Sequence, residues 1–382
     1  IFRCQKSDIF VNNFPQIIIP MILNEKHPVN TLTMNVLVRV LLCVFSTSVA
    51  SGQDEWKQSD VDAKNYLNYY QAVANAEEDI VNGNYRDAIK RYQVLFEEYP
   101  YNNPIDCYIA AQVSSYMGDT VTCLHFIFKG VNFGLPVQTI NSNPHLAGHL
   151  KKADKHTIES CRSAYEKRID ARARATMLSL IKRDQSVIHN LLPGESIYGP
   201  DGYTLKDIYR PLWDSLVREV IMLTQSSGFP AQKIIGTQNG EDSLFRAGPN
   251  SVFAVYIFIH HGRAWKQVGA MLWQELLKGN ITPQMYGVIY ESSNGKSAYN
   301  DSVHYFASRP CQDNQCKKAV KRNIDAINKA RWDIGLGSYE VMQKKFKSRA
   351  LYYKWRKERT GKNEPFFDFQ CDLSFQGKQT HS

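Results

Sequence analysis

No apolar run in this 382-residue chain reaches the roughly 18 residues that a bilayer-spanning helix needs, so no transmembrane span is expected in the mature chain. No Ser, Cys or acid sits in a pattern that identifies a reacting group with its orienting partner. Metal-ligand spacing is missing as well. Cys311 and Cys316 have no second Cys or His pair at zinc-site distance. His145 and His149, four apart, lack a Glu at the protease position, and Gly148 weakens any helix that would align them. Strands are scarce too. Val252–Ile259 is an unbroken apolar stretch with no second strand to pair with, and it is read as helix. Gly335-Leu336-Gly337-Ser338 is too short for a phosphate loop and follows a helix, so Gly335 reads as a helix stop and Ser338 as an N-cap. No metal and no cofactor is expected.

What remains is ordinary for a globular protein: 43% hydrophobic, 22% charged, and 12% aromatic with 21 Tyr, which suits the cores of helix pairs. The formal charge of +9 is concentrated near the C-terminus: Lys317 to Lys362 holds 15 Lys and Arg against Asp325, Asp333, Glu340 and Glu358. Such blocks are usually solvated helix faces, and an anionic surface is the partner they would favour. Met34–Arg39, apolar Val40–Phe45 and the small-x-small triplet Ser48-Val49-Ala50 read as a secretory signal peptide over 34–53. Residues 1–33 are left unassigned and expected to lie outside the native protein. Export to the periplasm or cell envelope makes nucleic acid an unexpected partner, despite the interleaved Lys354-Trp355-Arg356-Lys357. It also permits disulfides. Cys107, Cys123, Cys161, Cys311, Cys316 and Cys371 allow 15 pairings, of which Cys311–Cys316 is the best local bridge.

From Gly83 to Pro100 the chain has Gly at a turn, small Ala88 at a helix crossing, Tyr92 and Phe96 on a buried face, and a closing Pro. This spacing resembles the tetratricopeptide repeat, whose unit is about 34 residues. A looser second copy runs from Ile105 through Gly118-Asp119 to Phe133. The resemblance covers 54–135 and implies a surface for gripping other molecules. Two units fall short of the three or so that stand alone, so later helices are expected to cap them. A connector at 136–154 follows, then one long helix from about Lys155 to Leu192. The next helix is expected to have Pro211 in its first turn. Further helices are expected at about 264–278, 283–292, 317–333 and 339–358, with a helical domain over 155–350, a basic tail over 351–382, and the last fifteen or so residues irregular.

Asp184-Gln185, Gly228-Phe229-Pro230, Ile235-Gly236, Ile259-His260-His261, Gly279 to Pro283, and Ile327-Asn328 through Ile334-Gly335 occur in an order and spacing that resemble an uncharacterised bacterial helical domain family of unknown function. The resemblance covers roughly 165–345 and implies a fold, with almost no function. Where that family has an acid-Arg pair this chain reads Glu291-Ser292, and its Gln-x-Tyr-Gly-Thr-Gln string is replaced by His304 to Ser308. The departures put in doubt any chemistry carried by that polar cluster.

These readings predict an all-α protein: short tetratricopeptide-like helical hairpins packed on a multi-helix domain. The function expected first is an exported bacterial protein-binding or scaffold module. Its protein or peptide partner would lie in the repeat groove near Tyr69, Asn84 and Tyr108. The alternative is a hydrolase-like enzyme with a polar site around His260 and His261, joined by Asp184, Gln185 and Tyr305.

Overall fold

A computed structural model describes residues 64–190, 204–236, 253–293, 306, 311, 314–358 and 367–369. The expected leader at 34–53, the stretch 1–33 and Tyr305 lie outside these residues. Among the described residues the protein is all-α, with sixteen helices and no strand.

Two helical hairpins come first: α1 (Tyr66–Val81) with α2 (Tyr85–Glu98), then α3 (Pro104–Tyr116) with α4 (Thr120–Asn132). Their starts follow from local chemistry. The Asn65, Asn103 and Asp119 side chains accept from Leu67 N, Ile105 N and Thr122 N, each at 3.0 Å, and Pro104 opens α3, where a missing N–H costs nothing. Gly83 takes φ 85°, the left-handed conformation that closes the first hairpin. Ala88 is fully buried in α2, and Tyr92 and Phe96 lie on that helix's inward face. Every residue of α3 from Pro104 to Ser114 is buried, so this helix is covered all round.

The connector carries two short helices, α5 (Val137–Ser142) and α6 (Ala147–Lys152). The long helix expected from Lys155 onward is two: α7 (Lys155–Lys167) and α8 (Ala171–Asn190). Asp170 separates them. Its N–H donates to Ile234 O at 2.8 Å, and its carboxylate caps Ala173 N at 2.8 Å, so a tertiary contact takes the backbone out of the ladder. In α9 (Thr204–Ser227) Pro211 sits inside the helix, which starts seven residues before it and not at the proline turn.

The short α10 (Gln232–Ile235), α11 (Phe253–His261), α12 (Trp265–Leu277) and α13 (Pro283–Ser293) follow. Helices α8, α9, α11 and α13 pack together around Met177, Ile181, Leu216, Val220, Ile257, Phe258 and Ile289. The apolar run read as helix is α11. The expected helix at 317–333 breaks at Asn323 into α14 (Asn314–Arg322) and α15 (Ile324–Asp333), and α16 (Tyr339–Glu358) ends the set. Ser338 caps α16 through Val341 N at 3.3 Å. Cys311 and Cys316 are disulfide-bonded with Cα atoms 5.5 Å apart, while Cys107, Cys123 and Cys161 are buried thiols.

All described residues fall in one compact unit, Trp56–Ser382. The hairpins are seated on the later helices by tyrosines. Tyr70 Oη donates to Ile281 O at 3.1 Å, and the Tyr66 ring lies so close to Gly279 that a Cβ there would sit 2.5 Å from it. Lys345 on α16 pairs with Glu77 on α1 at 2.6 Å. Direct contact between α1 and the α12–α13 loop thus covers the hairpins on this side.

Candidate functional site

Helices α8, α9 and α11 bring three polar groups to one point. Asp184 projects from α8 and is completely buried. Its carboxylate accepts from Trp213 Nε1 on α9 at 3.0 Å and from Gln185 Nε2 at 2.8 Å, and it lies 3.0 and 2.8 Å from His260 Nδ1 on α11. A buried carboxylate needs such donors, because its desolvation is otherwise uncompensated. The carboxylate can only accept, so Nδ1 is the nitrogen that donates to it. Nε2 has no hydrogen-bond partner among the described residues, and the side chain keeps 12% of its surface exposed. An Asp-oriented imidazole with an open Nε2 can accept a proton from water or a substrate hydroxyl.

Asp184, Gln185 and His260, expected together from the sequence, do come together. His261 does not join them. One residue further round α11, its Nε2 meets Asp214 Oδ1 at 2.7 Å, and its Nδ1 accepts from Arg263 N at 3.1 Å. Both ring nitrogens are used, and only 4% of the side chain is exposed. Tyr305 is outside the described residues. One further residue belongs to this site. Trp213 is a buried core residue of α9 and also the donor that fixes Asp184, a role that only the tertiary contact gives it. Arg183, beside Asp184, donates to both Glu219 oxygens at 2.8 and 2.7 Å, which ties α8 to α9. That hydrogen bond holds the Glu219 carboxyl below the usual range.

The groove residues expected from the repeat are placed differently. Asn84 is exposed at the hairpin turn. Tyr69 and Tyr108 are core residues, each 1% exposed. Tyr69 Oη donates to Asp106 Oδ2 at 2.8 Å and accepts from Asn103 N at 3.1 Å. Burial, then the Asp106 carboxylate, pushes its phenol well above the ordinary value, so it stays a donor. The inner face of α3 is covered by the chain itself. Phe367, Asp368 and Phe369, in the stretch expected to be irregular, lie buried between α3 and α16.

This short segment is held by its backbone as well as by its side chains. Gln112 on α3 accepts from Asp368 N at 2.9 Å and donates to Asp368 O at 3.4 Å. Ser348 on α16 does the same for Phe367: its Oγ accepts from Phe367 N at 2.9 Å and donates to Phe367 O at 3.3 Å. Tyr108 Oη donates to Asp368 Oδ2 at 3.1 Å and accepts from Asn143 Nδ2 at 2.7 Å. Burial and the Asp368 carboxylate push the Tyr108 phenol well above its ordinary value.

His145 stacks near Phe367 at 6.2 Å, and Ser115 Oγ lies 2.9 Å from His149 Nε2. Among the described residues no group of three or more His, Cys, Asp or Glu side chains is placed to hold a metal ion, and no helix is long and apolar enough to cross a membrane. Comparison with protein-family models, curated proteins and solved structures found no match for this chain.

Proposed function

We propose that this chain is a non-enzymatic binding or scaffold module of the bacterial cell envelope, which grips an extended segment of polypeptide between its repeat hairpins and α16. The signal-like segment at 34–53 supports export. One observation carries the binding reading: Gln112 and Ser348 hold the N–H and C=O of two successive residues from opposite walls. A wall that satisfies main-chain groups accepts many sequences in extended form, which is how peptide-recognising surfaces obtain affinity. The test uses the intact protein with extended peptides at about 1 mM, near the effective concentration of a short tethered segment. Slower amide exchange on α3 and α16 with a subset of peptides is the expected result. If no peptide slows exchange there, the binding reading is abandoned.

A second reading has its own observation. The open Nε2 of His260, oriented by buried Asp184, favours a hydrolase-like site on the surface formed by α8, α9 and α11. Ester, amide and phosphoester panels turned over by the intact protein and not by His260→Gln would support it. Equal turnover by the two proteins would end it.

A further inference from the structure

We propose that Phe367-Asp368-Phe369 is an intramolecular occupant of a groove whose other occupant is an aromatic–acidic–aromatic segment of a second polypeptide. This rests on the binding reading above and names the chemistry of the partner. The backbone hold by Gln112 and Ser348 would fit any extended chain, so selectivity has to come from the three side-chain positions. The first is aromatic. The Phe367 ring meets Tyr85 and Tyr116 edge-on at 5.7 and 5.8 Å and lies 6.2 Å from His145, a pocket made by both hairpins and the connector. The second is acidic. The Asp368 carboxylate accepts from Tyr108 Oη at 3.1 Å and lies 3.8 Å from Arg349 Nε, with both charged side chains largely buried. A carboxylate there answers both the phenol donor and the guanidinium charge. The third is aromatic again: Phe369 is 1% exposed, with Lys345 Nζ 5.5 Å from its ring centroid.

Each wall also has an anchor of its own: helix α3 packs in its hairpin with α4, and α16 is tied to α1 through Glu77. A tethered occupant at millimolar effective concentration lowers the apparent affinity for any competitor without changing the contacts a competitor would make. The segment thus acts as a built-in competitor, and the partner resembles it chemically.

The probe is a fluorescein-labelled synthetic peptide with the sequence of residues 364–370, titrated by anisotropy into three full-length proteins. These are the unmodified chain, the Phe367→Ser/Phe369→Ser variant whose own segment is weakened, and that variant with Gln112→Ala added. The expected result is at least about tenfold tighter binding to the double-serine variant than to the unmodified chain. Adding Gln112→Ala should remove most of that gain. Equal, Gln112-dependent affinity in the first two proteins overturns self-occupancy and leaves the binding reading standing. Binding by neither protein overturns both. Should the double-serine variant lose its helical circular dichroism, amide exchange at residues 367–369 in the unmodified chain replaces it. Excess peptide must then accelerate that exchange, and unchanged rates overturn self-occupancy.

Discussion

The Gln112 groove and the Asp184 site are both centred on a fully buried polar side chain, yet they leave different things unfinished. Gln112 spends its amide on a backbone N–H and C=O, beside a Ser348 hydroxyl used the same way. Asp184 collects donors from Trp213, Gln185 and His260, and hands on an imidazole whose second nitrogen has no hydrogen-bond partner among the described residues. A polar cluster that closes on itself makes a grip. One that ends in an open lone pair near the surface is where a proton could be moved. The distinction separates the two functional readings, because each assigns activity to only one of these regions.

The larger effect is expected at the carboxylate. Asp184→Ala strands the Trp213 donor in a dry interior and frees His260, costing about 3 kcal/mol of stability, near the upper end for a single lost network member. Urea unfolding of the intact protein measures this. A loss below about 1 kcal/mol would mean that water reaches the carboxylate and that its three bonds are weaker than their geometry implies. The smaller effect is expected in the groove. Gln112→Ala removes one donor and one acceptor from a short three-residue stretch and costs about 1–2 kcal/mol, with the loss confined to faster amide exchange at residues 367–369. If that variant instead loosens the α8–α9–α11 core, the two regions are one cooperative unit and the comparison fails.

Much of the two hairpins was legible in the sequence because their signals are local. The Gly83 turn, Ala88 at the crossing and the Gly118-Asp119 turn act within a few residues, and each is where the spacing placed it. Asp184, Gln185 and His260 were legible as a set from a family-like order of residues, and the fold brings them into contact. His261 was misassigned for a physical reason: consecutive residues on a helix point about 100° apart, so only one of the pair can face Asp184. The break at Asp170 was hidden because its cause, the bond to Ile234 O, comes from 64 residues away.

Tyr69 and Tyr108 looked like groove residues because they lie on the inner helices of their hairpins. In an open solenoid that face would be wet. Here the α12–α13 loop, α16 and residues 367–369 cover it, and both phenols turn to internal partners.

The sequence by itself determined the class of structure, since helical periodicity, caps and turn glycines are short-range properties of the chain. It also determined which residues could form a polar site. Tertiary structure decided which of them meet, which His nitrogen faces the carboxylate, and that the inner face of the hairpins is already filled. Those outcomes depend on contacts between residues tens to hundreds of positions apart, among them the pair Gln112 and Asp368, and no local pattern encodes the meeting of two such distant faces.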